Sequence, residues 1–170
     1  AENENVVRIM SIHKSKGLEF PIVFLCDLGK QFNFLDQRTD ILIHKDLGIA
    51  PLVIDTQAMV RYPSLPYLAL KLASEAEVRA EEMRILYVAL TRAREKLLLI
   101  GSARNLSDEQ ETWRQLLTCQ EKSLPASELV RAKSYLDWLG RALIRHSDME
   151  GAQIQFPWLA GEDSRFSISI

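Results

Sequence analysis

Between Leu65 and Arg94 the chain contains no glycine, and its one proline, Pro66, sits at the very start. Such a run without a breaker far exceeds an ordinary strand, so a long helix must organise whatever surrounds it. Ser64 supplies a capping hydroxyl and Pro66 suits a first turn. Met83, Leu86, Tyr87, Leu90 and Ala93 recur at helical spacing, and Ile85, Val88 and Ala89 widen the apolar face. The spacing therefore predicts a helix from Ser64 to about Arg94 that is buried on more than one side. Its middle is acidic (Glu75, Glu77, Glu81, Glu82) and its end basic (Arg92, Arg94, Lys96), an arrangement that suits the helix dipole.

Strand-like runs lie on either side. Residues 6–12 (VVRIMSI) and 21–26 (PIVFLC) are apolar with little alternation, as in strands covered on both faces, and LLLIG (97–101) reads the same way. Residues 41–54 (ILIHKDLGIAPLVI) suggest a hairpin turning at Lys45–Gly48, with Pro51 placing its second strand at a sheet edge. Ser107 with Gln110 forms a capping-box pattern ahead of Trp113, Leu116 and Leu117. A last helix is predicted from Ser127 to about His146, with Ala132, Tyr135, Leu136, Leu139 and Leu143 inward. The order strand, loop, strand, hairpin, long helix, strand, helices gives an α/β fold with a mostly parallel sheet, a hairpin insertion at about 38–56 and a C-terminal helical extension. The expected division is 1–104 for the α/β part and 105–170 for the extension.

The 170 residues carry a net charge of −2, which excludes a uniformly basic nucleic-acid binder and leaves only a local patch for that purpose. Cys26 and Cys119 read as free thiols of a reducing compartment. No apolar stretch approaches the roughly 20 residues of a membrane span, and the polar AENEN start lacks a signal-peptide core, so the expectation is a cytoplasmic protein. Opening on a strand pattern, the chain also reads as a piece of a larger one.

Two stretches could carry chemistry. In IHKSKGLEF (12–20), Lys14, Lys16 and His13 can face phosphates, Ser15 can donate a hydrogen bond, Gly17 lets backbone approach a ligand, and Glu19 can accept sugar hydroxyls. In open sheets such ligand loops follow the carboxyl ends of strands. The competing reading is a solvated crossover whose lysines only keep it soluble. In EEMRILYVALTRAR (81–94), Arg84 and Arg92 are eight residues apart and project to one side of a helix. Arg92 could reach beyond its own domain; the competing reading is a surface arginine bonding the last helix carbonyls. Trp113, Tyr135, Trp138 and Trp158 read as packing residues rather than stacking platforms for bases.

Together the two stretches resemble the fifth and sixth motifs of superfamily 1 DNA helicases of the UvrD, PcrA, Rep and RecB type. The first motif, T-x-H-x-x-K-G-L-E-F, is matched at His13, Lys16, Gly17, Leu18, Glu19 and Phe20. The second, E-E-x-R-x-x-Y-V-A-x-T-R-A, is matched at Glu81, Glu82, Arg84, Tyr87, Val88, Ala89, Thr91, Arg92 and Ala93. Ser11 stands where the family has threonine and keeps the hydroxyl. LGKQFNFLDQRTDILIHKDLGI, RYPSLPYLALKL and AKSYLDWLGRALIRH are similar to the AddA branch of bacterial helicase–nucleases, AddAB. RecB-like or UvrD-like helicases, and a catalytically silent helicase-like scaffold, are the alternatives.

The resemblance implies a partial second RecA-like domain that closes on ATP held mainly by a first one. It implies that Arg92 is an arginine finger, that the Gly17 backbone lies near the γ-phosphate and that Glu19 approaches the ribose. Ser11, His13 and Lys14 or Ser15 would contact single-stranded DNA, Lys16 would touch DNA or brace the loop, and Arg84, Tyr87 and Thr91 would be structural or coupling residues. ATP and Mg2+ are the implied cofactors of the intact protein, with no metal ligand in this chain and no cofactor expected on it alone. The implied partners are single- and double-stranded DNA together with an AddB-type protein, in double-strand-break repair and recombination. Neither G-x-x-x-x-G-K-[ST] nor a D-E-x-Q acid pair occurs. The chain by itself is expected to be inactive.

Overall fold

The computed structural model describes residues 6–146 and Asp148; Trp158 and the rest of 149–170 lie outside the described residues. Strands β1 (Phe20–Leu25) and β5 (Ala93–Leu99) lie side by side and run parallel. Phe20 N–H donates to the Arg92 carbonyl at the start of the pair (2.9 Å), and Ile100 N–H donates to the Leu25 carbonyl at its end (2.8 Å). With the helices and a separate three-stranded antiparallel sheet, this makes the α/β fold that the pattern of runs implies.

The first predicted strand does not form. Residues 6–11 carry no regular structure and Ile12–Ser15 make a short 3-10 turn. Val7 is 94% and Ile9 98% exposed. Apolar composition alone does not make a strand; a ladder partner does, and none pairs with this run among the described residues.

The antiparallel sheet has the order β2 (Ile41–His44), β3 (Gly48–Asp55), β4 (Val60–Pro63). The hairpin turns at Lys45–Leu47 as expected, with Gly48 at φ +90°, where a glycine costs least. The run pattern gives no sign of β4, whose presence makes β3 central rather than an edge. Pro51 fits there because β3 changes partners at that point. Residues 48–51 pair with β2 and residues 52–55 with β4, so the missing amide of Pro51 falls at the changeover. Leu42 and Ala50 point inward with Leu52 beside them, and Tyr67 and Leu70 of the long helix cover them. Each leucine of this cluster contributes about 1.5–3 kcal/mol when fully buried.

That helix, α1, spans Leu65–Leu90. The predicted start holds: the Ser64 hydroxyl accepts from Tyr67 N–H at 3.2 Å. The predicted end at Arg94 does not. Arg92 already gives its carbonyl to Phe20, which draws the chain into β5 and overrides helical propensity. Arg94 and Lys96 are thus strand residues and do not face the helix dipole. Leu86 and Ala89 are buried, whereas Tyr87, expected inward, is 68% exposed.

The chain divides into two compact units, one of residues up to Val23 with Phe32–Leu98, the other of Phe24–Gln31 with residues from Leu99 onward. The second unit contains α2 (Leu106–Arg114), α3 (Ala126–Arg131) and α4 (Tyr135–Leu143). α2 begins before the predicted capping box, with Asn105 at its cap position and no side-chain cap bond. The single helix predicted over 127–146 is two helices. Ser134 accepts from Asp137 N–H and starts α4 afresh, while Gln31 forms a bridge with Ser134. The Asp137 carboxylate accepts from Trp113 Nε1 (2.8 Å), Arg141 Nε (2.8 Å) and Lys133 N–H (3.1 Å). Arg141 Nη1 also meets Glu128 at 2.5 Å. The Trp113 indole lies directly over Gly140, where a Cβ would come within 2.4 Å of the ring. Trp113 and Trp138 are both buried, which fits packing rather than base stacking. Cys26 and Cys119 are free.

Candidate functional site

The end of α1 leaves the carbonyls of its last turn without intrahelical partners. The next two residues bond them. Thr91 N–H donates to the Tyr87 carbonyl (3.1 Å), and the Thr91 hydroxyl lies 3.0 Å from that oxygen and 3.1 Å from the Val88 carbonyl. Arg92 N–H donates to Ala89 (3.3 Å) and Arg92 Nε to Val88 (2.8 Å). The cation therefore sits at the negative end of a 26-residue helix.

Arg92 also binds the loop. Its Nη1 donates to the Leu18 carbonyl at 2.9 Å, and its own carbonyl accepts from Phe20 N–H. Glu19 is pinned on both sides by these two ties while its side chain stays exposed. The two motifs, over seventy residues apart in sequence, form one corner. All the acceptors around the guanidinium are neutral: Val88 and Leu18 carbonyls and the Thr91 hydroxyl, to which Nη2 donates at 2.9 Å. No carboxylate pairs with Arg92 among the described residues. A guanidinium has five N–H donors, and three are occupied here, leaving two.

The loop itself is a stack of turns. Lys14 N–H donates to Ser11 (3.0 Å), Lys16 N–H to His13 (3.4 Å) and Leu18 N–H to Ser15 (3.0 Å). Ser11, His13, Lys14, Lys16 and Gly17 are exposed. Gly17 has φ +81°, and a Cβ added there would meet nothing within 4 Å. Backbone conformation, not space, therefore demands glycine, and its surface is open to a ligand. Ser15 differs from its neighbours. It is buried and its hydroxyl donates to the Ile12 carbonyl at 2.7 Å, so it braces the 3-10 turn from within.

Arg84 is not part of this corner's bonding. It pairs with Glu81 at 2.9 Å and lines a shallow groove with Lys45, Glu77 and Val78. The same-side argument for Arg84 and Arg92 does not apply, because the helix ends before Arg92. Tyr87 shares the site through its carbonyl, which meets Thr91. What residue patterns could not reveal is the part played by backbone: the Leu18 carbonyl and the Phe20 amide leave no mark in side-chain identity.

A family model of the UvrD-like helicase C-terminal domain matches residues 1–104, the stretch that contains both halves of this corner. The chain belongs to that family. Among curated relatives of this UvrD-like domain, the A subunit of the ATP-dependent helicase/nuclease of Heliobacterium modesticaldum is 55% identical over 152 residues, covering 86% of this chain and 11% of that protein. The protein of the same name from Desulforamulus reducens is 55% identical over 146 residues, covering 86% and 12%. That of Clostridium kluyveri is 41% identical over 175 residues, covering 99% and 14%. The chain thus spans about a seventh or less of the length of these relatives. The AddA-type likeness read from the motifs and the material between them stands. Among the described residues, no helix is long and apolar enough to cross a membrane.

Proposed function

We propose that this chain forms part of the second RecA-like lobe of an ATP-dependent DNA helicase and nuclease serving double-strand-break repair and recombination. It supplies the arginine finger and the loop that joins nucleotide state to DNA grip. The observation that carries the reading is the double tie at Arg92: one guanidinium, with two N–H groups to spare, holds the loop through Leu18 while the backbone holds it through Phe20.

The corner fits the phosphate edge of a nucleotide. It offers an arginine with no carboxylate partner among the described residues, an open glycine backbone and an exposed acceptor at Glu19 that can receive ribose hydroxyls. Among the described residues no three His, Cys, Asp or Glu side chains gather into a metal cage. Bound ATP with Mg2+ supplies the phosphoryl group whose transfer drives the parent protein. Arg92 would meet the charge that builds on that group with its two remaining N–H donors. Because Leu18 is bonded to the same guanidinium, a shift of Arg92 moves the loop. Ser11, His13, Lys14 and Lys16 ride on that loop and contact single-stranded DNA, chiefly its backbone. Ser15, buried, keeps the turn rigid under them. Thr91 and Tyr87 couple the helix end to Arg92, and Arg84 stays structural. Double-stranded DNA and an AddB-type partner complete the assembly, in line with relatives whose name marks them as one of several chains in a helicase/nuclease.

Arg92→Ala in the full-length protein is expected to cost about three to five decades of DNA-stimulated ATP turnover, with the fold intact by circular dichroism. Unchanged turnover would overturn the assignment. His13→Ala is expected to weaken DNA stimulation more than nucleotide binding. The isolated chain, which has no phosphate-binding loop motif, is expected not to turn over ATP.

A further inference from the structure

We propose that Thr91 is the positioning residue for Arg92, fixing the plane of its guanidinium. This rests on Arg92 acting at the nucleotide. Three acceptors at three different nitrogens define that plane: Val88 carbonyl at Nε, Leu18 carbonyl at Nη1, Thr91 hydroxyl at Nη2. Two of them are backbone atoms. The Thr91 hydroxyl is the only side-chain acceptor in the set.

Its polarity is decided by its surroundings. Carbonyl oxygens only accept, so the single hydroxyl hydrogen must go to the Tyr87 or Val88 carbonyl, at 3.0 and 3.1 Å. The lone pairs are left for Arg92, which only donates. Thr91 is therefore a relay of fixed direction: helix end, hydroxyl, guanidinium. The branched Cβ restricts χ1 and holds the hydroxyl in place. The two unoccupied N–H vectors of Arg92 then point where the brace aims them. Without the hydroxyl only the two backbone acceptors remain, and Nη2 swings about the line through Nε and Nη1. A displacement on the order of 1 Å at a reacting centre costs about a hundredfold in rate.

The test uses the full-length helicase protein with its partner chain, ATP and single-stranded DNA. Thr91→Val removes the hydroxyl at nearly constant shape. Thr91→Ala removes it without placing a second methyl against the Tyr87 and Val88 carbonyls, and is read in the same way should the valine variant fold poorly. Expected is a fall in kcat of about ten- to a hundredfold with KM changed less than about threefold. Thr91→Ser should restore most of the loss. In an Arg92→Ala background the Thr91 substitutions should add nothing further, because their effect passes through Arg92. A purely structural role would give equal losses in both backgrounds, and that result overturns the inference. So does full kcat in Thr91→Val and Thr91→Ala beside a crippled Arg92→Ala, which would leave the reading of Arg92 standing. Normal turnover in Arg92→Ala overturns both.

Discussion

Arg92 and Arg141 are each held by several hydrogen bonds at a helix, but to different kinds of acceptor. Arg141 is 5% exposed and bonds two carboxylates, Asp137 and Glu128. Arg92 is partly exposed and bonds two carbonyls and a hydroxyl. Both are geometrically fixed, yet only Arg141 is neutralised. A buried arginine matched to carboxylates is committed to structure, since its charge has nowhere else to go. An arginine braced only by dipoles keeps its charge for an incoming anion. The sign of the acceptors, more than the number of bonds, separates the two uses of one residue type.

The comparison breaks most clearly by exchanging the damage. Beside the large loss of turnover expected for Arg92→Ala, that variant should lose about 1.5–3 kcal/mol of stability, since each of its three partly exposed hydrogen bonds contributes about 0.5–1 kcal/mol. Arg141→Ala leaves the buried Asp137 carboxylate without its cation, while the partly buried Glu128 keeps Arg131 at 2.9 Å. It should cost about 3–5 kcal/mol in a denaturant melt. Comparable stability losses in the two variants would erase the distinction. Gly140→Ala sharpens the structural side. Its methyl would collide with the Trp113 ring at 2.4 Å, for an expected loss of about 1–3 kcal/mol, read as a lowered Tm. Gly17→Ala probes the functional side. There is room for the methyl but φ is +81°, so the strain should cost about 1–2 kcal/mol. Smallest, Lys14→Ala and Lys16→Ala should each lower the salt slope of single-strand affinity by about 0.7, measured by titration at several salt concentrations. An unchanged slope in both variants would remove these lysines from the DNA contact.

Local signals are readable where a feature depends on its neighbours in sequence. Ser64 with Pro66 marks the start of α1, and Lys45–Gly48 marks the hairpin turn. Features that depend on distant partners are not. The run at 6–12 has the composition of a strand and no ladder partner among the described residues. The end of α1 is set by Phe20 claiming the Arg92 carbonyl. The last helix is broken by a serine cap that the apolar periodicity runs straight across. The cluster of buried Asp137 and Arg141 with partly buried Glu128 goes unannounced. Its one advance sign is the acid and base four apart on a helix, a spacing far more common on exposed faces. At the candidate site, motif likeness brings Arg92 and the 12–20 loop together, but the atoms joining them are main-chain ones that any side chain could accompany.

The 26 residues of α1 amount, at about 1.5 Å of rise each, to a rod of about 39 Å. The antiparallel sheet holds its first half, through Tyr67 and Leu70 and through Lys45 against Glu77, and Thr91 and Arg92 cap the far end. Such length insulates. Changes on the exposed side of the hairpin, at Ile43 or Ile49, leave Lys45 against Glu77 and so leave the rod and its arginine in place, which makes that side a natural place to attach a fluorophore.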